Sequence, residues 1–292
     1  MLSTPIKSLY RTQSLSLGSQ MKIHAISTGT VSVKYNFKHK KGAGLINKLN
    51  LFRGPMTAPL PIHVYVIEHP EGVIVIDTGE NARVNEPDYF AKAAWLQKQF
   101  QKTVRFEVQA DEEIGPQLDA LGIARSRVRW VVLTHLHLDH TDGLHHFPNT
   151  EILVHQKELD RPYGDAPHTY PQWFEPKGFS LDQLGPGAFN QVHYLTQSKD
   201  VMMVSLPGHT YGQVGVLLQA NNQYYLFAGD ASYDQAQLEK HELAGGHVDF
   251  RAAADSMDKV KRFAKQYPMV YLPAHDPSAG ERLVSSTTLK AY

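Results

Sequence analysis

The chain has 292 residues, 42% of them hydrophobic and 20% charged, which is typical of a folded globular protein and excludes a disordered or collagen-like one. Its 29 bases balance its 29 acids, which argues against a dedicated nucleic-acid binder, and no apolar run approaches the ~18 residues of a membrane span. There is no cysteine, so any metal must be held by histidine and carboxylate side chains.

The N-terminal part of the chain differs from the rest in charge. Residues 1–67 hold nine bases and no acid, which leaves 20 bases against 29 acids in residues 68–292. This segment is either a solvated basic surface or a patch that faces an anion. Residues 1–20 have no secretory signal pattern and are expected to be a disordered extension before a single domain at residues 21–292. Residues 38–61, rich in lysine and glycine and with three prolines, predict a long loop that walls a pocket.

Hydrophobic patterns after residue 61 predict two sheets in one domain, with helices outside them. Strands are predicted at residues 63–67, 73–77, 130–134, 201–206, 213–219, 223–227 and 269–272, and helices at residues 88–101, 111–122 and 250–267. The first two strands are joined by a Pro-Glu-Gly turn and predict a hairpin. Asp111 is expected to cap the second helix and Gly122 to end it.

The segment Thr134-His-Leu-His-Leu-Asp-His140 directly follows a predicted strand and carries four potential metal ligands. Alternate side chains of an extended chain share a direction, so His135 and His137 can bind one ion while Asp139 and His140 turn toward a second. Four ligands exceed what one tetrahedral site with an open position requires. The segment therefore favours two metal ions over one.

Three further candidate ligands, His209, Asp230 and His275, each follow an apolar strand. A single histidine or aspartate in such a place is more often a capping or loop residue. Together with the first four residues, however, the three would complete a dinuclear site.

This arrangement closely resembles the metallo-β-lactamase superfamily, whose His-x-His-x-Asp-His motif is followed by a histidine, a bridging aspartate and a last histidine. The resemblance covers about residues 21–275 and includes Asp77-Thr-Gly79, where Asp77 would support the ligands from outside. It implies an α/β (α+β) fold, a four-layer αβ/βα sandwich in a single domain. In the family's pattern, His135, His137 and His209 would hold one zinc ion, Asp139, His140 and His275 the other, and Asp230 would bridge them.

Within the superfamily, the chain most resembles the N-acyl homoserine lactonases. The hairpin into Asp-Thr-Gly, the ligand spacings and Asp230-Ala-Ser-Tyr233 carry this resemblance. In those enzymes a tyrosine three residues after the bridging aspartate points its hydroxyl at the substrate carbonyl, and Tyr233 is the matching residue. The resemblance implies a quorum-quenching hydrolase that opens the lactone ester by attack of a metal-bridging hydroxide. Asp139 and Tyr233 are the expected catalytic residues, with Asp139 returning a proton to the leaving alkoxide.

Two positions depart from the pattern of these relatives. After His140, where a small residue and then Gly-Gly are usual, Thr141-Asp142-Gly143 inserts a carboxylate near the expected metal site. The stretch after His209 reads Thr-Tyr-Gly-Gln-Val-Gly, where many lactonases carry a serine. The aromatic stretch at residues 161–194 is either a satellite hydrophobic cluster or an acyl-chain pocket. His145 and His146 are expected to be surface histidines.

Other functions within and outside the superfamily stay open. The absent cysteine and the bridging aspartate argue against a β-lactamase, and no residues remain for the flavin domain of a flavodiiron protein. The alternatives are a glyoxalase II-like thioester hydrolase, a phosphodiesterase and, as a non-enzyme, a metal-stabilised binding protein. The expected cofactors are two divalent ions, most simply zinc. The expected partner is a small lactone, with no nucleic acid or membrane, and a cytoplasmic homodimer is expected.

Overall fold

The computed structural model describes residues 10–86, 88–90 and 103–290. Eight strands form the first sheet: β1 (Gln13–Ser16), β2 (Lys22–Val33), β3 (Leu60–Glu68), β4 (Val73–Ile76), β5 (Val104–Glu107), β6 (Val128–Leu133), β7 (Glu151–His155) and β8 (Lys177–Phe179). Their order is β1-β2-β3-β4-β6-β7-β8, and β5 pairs with β2. The pairs β4–β6, β6–β7 and β7–β8 are parallel. The pairs β1–β2, β2–β3, β2–β5 and β3–β4 are antiparallel.

Six strands form the second sheet: β9 (Gln183–Leu184), β10 (Gln191–Tyr194), β11 (Val201–Ser205), β12 (Val214–Ala220), β13 (Gln223–Gly229) and β14 (Met269–Pro273). Their order is β14-β13-β12-β11-β10-β9, and only β13 and β14 pair in parallel among these strands. The β12–β13 turn places Asn221 and Asn222 at positive φ, as a tight hairpin turn with right-handed strand twist requires.

Within the described ranges, the α-helices are α1 (Tyr35–Lys38), α2 (Gly44–Asn50), α3 (Ile114–Ala120), α4 (Leu138–Thr141), α5 (Gln156–Asp160), α6 (Gln235–Lys240), α7 (Phe250–Gln266) and α8 (Ala279–Ser285). Short 3₁₀ helices lie at Ala82–Asn85, Ala110–Glu112, Arg125–Arg127 and Asp142–His146. Among the described helices, none has the length and apolar character needed to cross a membrane.

Alternation along the strands divides the core into layers. Ile74 and Ile76 of β4 face the second sheet, whereas Val73 and Val75 face outward toward α3. Each fully buried aliphatic side chain contributes about 1.5–3 kcal/mol relative to exposure. The outer face of the second sheet is covered by α7, which buries Met257 and other residues. The order helix, sheet, sheet, helix confirms the predicted αβ/βα sandwich.

Most predicted elements are present with small changes in their ends, but three expectations differ. Gln13–Ser16, expected to be disordered, pair with β2, and the loop predicted at residues 38–61 contains α2. Helix α3 begins at Ile114, and its N-cap is Glu113 instead of Asp111. Most of the helix predicted at residues 88–101 lies outside the described residues.

Candidate metal centre

The seven predicted ligands lie together at one edge of the sandwich, beyond the carboxyl ends of its strands. Four follow β6, and one each follows β11, β13 and β14. They are His135, His137, Asp139, His140, His209, Asp230 and His275, and their ligand atoms form overlapping groups within 4.8 Å. The parallel and antiparallel pairing of these strands thus brings together residues that are up to 140 positions apart.

His135, His137 and His209 form what we call the histidine group. Nδ1 of His137 lies 3.0 Å from Nε2 of His135 and 2.8 Å from Nε2 of His209. His135 and His209 are buried, and the three rings meet edge to face. Three imidazole nitrogens therefore converge on one point.

Asp139, His140 and His275 form what we call the mixed group. Nε2 of His140 lies 3.9 Å from Oδ1 of Asp139, and Nε2 of His275 lies 3.5 Å from Oδ2 of Asp139. Both histidines are buried, while Asp139 is half-buried at the end of the site that faces solvent. This group combines one carboxylate with two imidazoles.

Asp230 lies between the two groups and contacts both. Its Oδ2 is 3.4 Å from Nε2 of His209, and its Oδ1 is 3.3 Å from Nε2 of His140 and 3.2 Å from Nε2 of His275. One carboxylate thus offers one oxygen to each group, the arrangement that a bridging ligand requires.

Hydrogen bonds outside the histidine group fix which ring nitrogens carry protons. Thr134 Oγ1 donates to Asp77 Oδ2, so it accepts from Nδ1 of His135, and Nε2 of His137 donates to the carbonyl of Tyr163. The inner nitrogens of His135 and His137 then carry lone pairs that face each other at 3.0 Å. Such a contact is repulsive unless a proton or a cation lies between them, so the donor set fits a metal ion.

Asp77 supports the mixed group from behind. Its Oδ2 is 2.8 Å from Nδ1 of His140, and its Oδ1 accepts from the backbone N–H of Thr134. Asp77 has a φ of 61°, a strained conformation for a non-glycine residue, and this aims its carboxylate at both partners. Gly79 follows at φ 72°, where a Cβ would lie 2.0 Å from Thr28 Oγ1, so the sharp turn requires glycine.

The two groups differ in proton affinity. Burial, and then the neighbouring histidines, lower the pKa of His135 well below its usual value, and burial also lowers the pKa of His137 and His209. Burial acts in the same direction on His140 and His275, but nearby carboxylates outweigh it and raise the pKa of both.

Tyr233 is buried beside the mixed group. Its ring centroid lies 5.4 Å from that of His275. Burial, and then the charges of Asp230 and Asp139, raise the pKa of Tyr233 well above its usual value. The hydroxyl therefore stays protonated across the neutral range and can donate a hydrogen bond.

Two buried residues near the centre were not predicted from the sequence. Glu158 of α5 accepts from Leu136 N, Thr210 Oγ1 and Gly212 N, so it ties the loop that carries His135 to the loop after β11. His247 packs edge to face on His209 with ring centroids 5.7 Å apart. Neither belongs to a local motif, and only the fold brings them to the site.

The two departures from the lactonase pattern have structural roles away from the ligands. The carboxylate of Asp142 accepts a hydrogen bond from the Tyr89 hydroxyl and shares a hydrogen bond with the buried carboxyl group of Glu80. Thr210 donates to Glu158 at 2.8 Å. Asp142 therefore does not join the predicted ligands.

The aromatic stretch at residues 161–194 mostly supports the hydrophobic core. Phe179 and Phe189 are buried, and Tyr170 and Phe174 pack against the outer face of the first sheet. Tyr163 is exposed and meets Tyr211 edge to face next to the histidine group. The satellite-cluster interpretation therefore fits most of the stretch. Tyr163 lies next to the histidine group, and the Tyr170 hydroxyl donates to the carbonyl of Leu136, between His135 and His137.

Comparison with known proteins identifies relatives over most of the chain. N-acyl homoserine lactonase AttM from Agrobacterium fabrum is 25% identical over 277 residues, which cover 89% of this chain and 95% of the relative. An N-acyl homoserine lactonase from a Bacillus species is 26% identical over 226 residues, covering 74% of this chain and 82% of that protein.

Solved structures share the fold at lower identity. A structure of N-acyl homoserine lactone hydrolase, with N-hexanoyl-L-homoserine at its catalytic metal centre, matches with a TM-score of 0.72 and 18% identity over 91% of this chain and 98% of that one. The dizinc quorum-quenching lactonase AidC matches with a TM-score of 0.64 and 16% identity over 92% of each chain. The model of the metallo-beta-lactamase superfamily matches residues 57–275, and the chain belongs to this superfamily.

Proposed function

We propose that this protein is a dinuclear-metal hydrolase that opens the ester ring of N-acyl homoserine lactones. The observation that carries the proposal is Asp230, which divides its two carboxylate oxygens between the histidine group and the mixed group. The relatives named as lactonases support the substrate class.

In this proposal, the histidine group and the mixed group would each hold one divalent ion, and Asp230 would offer one carboxylate oxygen to each. The inward lone pairs of His135 and His137 and the buried, unbonded Nε2 of His140 are the atoms that would bind. Imidazole and carboxylate donors without cysteine suit zinc, which we keep as the expected metal. When bound, two such ions would supply Lewis acidity, which lowers the pKa of bound water toward neutrality.

Tyr233 and Asp139 have separate roles in the proposed reaction. The Tyr233 hydroxyl, kept neutral by burial and by nearby carboxylates, donates a hydrogen bond to the oxygen on which negative charge develops. One such donor contributes about 3 kcal/mol to the transition state. Asp139, whose side chain is 16% exposed, would accept the proton of the attacking oxygen and pass it to the leaving alkoxide of the homoserine as the ester C–O bond breaks.

An anionic thioester or phosphodiester is the second candidate substrate. A hollow of about 550 Å³ lies in the N-terminal basic segment, and Lys40, Lys41 and Arg53 are among its lining residues. Such a hollow would attract a negatively charged group. The lactone remains the first candidate because the relatives that align over most of the chain are lactonases.

A substrate panel tests the proposal. Lactone ring opening releases a proton, so a dye assay can compare an N-acyl homoserine lactone with a glutathione thioester, a β-lactam and bis-p-nitrophenyl phosphate. We expect the lactone to have the highest kcat/KM, about 10⁴ M⁻¹s⁻¹ or above. Asp230→Asn provides the background rate. A tenfold or greater preference for the thioester or phosphodiester would refute the lactonase assignment.

Three finer expectations belong to this proposal and stay predictions: zinc as the native metal, a homodimer, and a cytoplasmic location. Metal analysis, light scattering and cell fractionation address them separately. The absence of cysteine agrees with zinc held by histidine and carboxylate alone.

A further inference from the structure

A second cluster of potential metal ligands lies outside the candidate metal centre. Nε2 of His146 is 2.8 Å and Nε2 of His145 is 3.1 Å from the same oxygen, Oε2 of Glu113. The two imidazole rings lie 4.0 Å apart between centroids. We call these three residues the peripheral cluster.

Backbone contacts hold two of the three donors of the peripheral cluster, Glu113 and His145, in place. Glu113 Oε1 accepts from the N–H of Ala82, which leaves Oε2 to face the histidines. Nδ1 of His145 donates to the carbonyl of Asp142. The side chains of Glu113 and His146 are only 11% and 12% exposed, so two of the three donors are largely withdrawn from water.

The hydrogen-bond pattern around His145 is incomplete for a neutral ring. Nδ1 faces the Asp142 carbonyl and Nε2 faces the Glu113 carboxylate, and both of these oxygens only accept. A neutral imidazole has one N–H, so it satisfies one contact and sets a lone pair against an oxygen in the other. Either a second proton on the ring or a metal cation between Nε2 and Oε2 removes this conflict.

We propose that Glu113, His145 and His146 bind a divalent transition-metal ion, of the zinc or nickel class, at a site separate from the candidate metal centre. With bonds of about 2.1 Å, adjacent donors lie about 3.0 Å apart around a six-coordinate ion and about 3.4 Å apart around a tetrahedral one. The two distances to Oε2, 2.8 and 3.1 Å, match the six-coordinate spacing and need a small outward shift for tetrahedral zinc. The His145 side chain is 41% exposed, so water completes the coordination.

The bound ion would hold together three segments that lie on the outer face of the first sheet. Glu113 leads into α3, Ala82 belongs to the loop after β4, and His145 lies in the 3₁₀ helix that follows α4. Since α4 carries Asp139 and His140, the bound ion would stiffen the support of the mixed group without touching it. The role is structural, and the cluster takes no part in the proposed hydrolysis.

Zinc titration of matched variants tests this site. His145→Asn and Glu113→Gln each remove one donor, and Gln keeps an oxygen for the Ala82 N–H. His241→Asn is the control, because His241 is a similarly exposed histidine, 37%, beside a carboxylate, and asparagine tolerates its positive φ. Calorimetry should find one more zinc ion per chain in the wild type and the control than in the two variants, with nickel as a second probe.

Each result is decisive when circular dichroism shows folded protein. Equal zinc uptake by the wild type and both cluster variants would overturn the proposal. Loss of the extra ion in His241→Asn as well would do the same, because it would indicate adventitious surface binding. The comparison does not depend on turnover, so a wild type without lactonase activity would leave this result unaffected. In an active protein, we expect His145→Asn to keep kcat/KM within about twofold.

Discussion

The two halves of the candidate metal centre use different chemistry at the same sheet edge. The histidine group contains three imidazoles, and the pKa of each is lowered, first by burial. The mixed group contains the Asp139 carboxylate, and carboxylates raise the pKa of His140 and His275. The first half therefore offers neutral donors, whereas the second offers negative charge balanced by protons.

This contrast indicates how one protein edge can hold two cations close together. Neutral donors on one side limit the total negative charge that must be buried, and Asp230 shares its charge between both sides. The carboxylates collect near Tyr233 and Asp139, where the proposed reaction needs a donor and a proton carrier. In the proposed reaction, the mixed group would therefore combine metal binding with the nearby donor and proton carrier, whereas the histidine group would only bind metal.

Substitution of Asp230, which contacts both groups, should have the largest effect on metal affinity and on kcat/KM. Asp230→Asn keeps the shape but takes away the charge that both groups contact, so we expect metal affinity to fall more than about 100-fold. We expect kcat/KM for the lactone to fall about 1,000-fold or more. Elemental analysis and the dye assay measure the two effects.

Asp258→Asn is the matched control for Asp230→Asn. Asp258 pairs with His241 at 3.4 Å on the surface, so its variant should keep wild-type metal content and rate. If Asp230→Asn retains both ions at unchanged affinity, Asp230 does not bridge the groups.

Tyr233→Phe should affect catalysis alone. The ring and its packing remain, but the hydroxyl donor is lost, so we expect kcat to fall about 10- to 1,000-fold with unchanged metal content. Tyr271→Phe is the control, since Tyr271 is also buried but its hydroxyl bonds to Ser232. An unchanged kcat in Tyr233→Phe would assign Tyr233 to packing only.

The sequence predicted the fold and the neighbourhood of the seven residues because both depend on short-range patterns. Alternation along β4 and β6 distinguishes the inner face from the outer face, and the ligand candidates follow strands directly. Strand ends that share a sheet edge then bring their loops together. The family resemblance supplied the pairing of the residues into two groups.

Supporting residues were missed because their partners are distant in the chain. Glu158 bonds to Gly212, 54 positions away, through loops whose mutual position no local pattern indicates. His146 was expected at the surface, but its side chain is only 12% exposed and pairs with Glu113. Hydrogen bonds between loops depend on the complete fold. The adjacent residues His145 and His146 therefore did not indicate in the sequence that both contact the carboxylate of Glu113.

A moderate decrease in pH should change metal binding less than either substitution does. It should weaken metal binding by the mixed group before it weakens binding by the histidine group. Without a bound ion, the pKa of His140 is raised well above its usual value, so this ring holds a proton at neutral pH that a metal must displace, and the raised pKa of His275 acts in the same direction. Metal affinity of the mixed group therefore falls as pH drops through the neutral range. The lowered pKa of His135 and His209 keeps their nitrogens free until pH is well below 6.5.

Metal content after dialysis at successively lower pH should thus fall in two steps, with the ion of the mixed group lost first. Calorimetry in buffers of different ionisation enthalpy should detect protons released when that ion binds at neutral pH. Asp77→Asn removes the carboxylate that contacts His140 Nδ1, so it should lower the pKa of His140 and reduce this proton release. Simultaneous loss of both ions, or binding without proton release, would mean that charge does not distinguish the two halves.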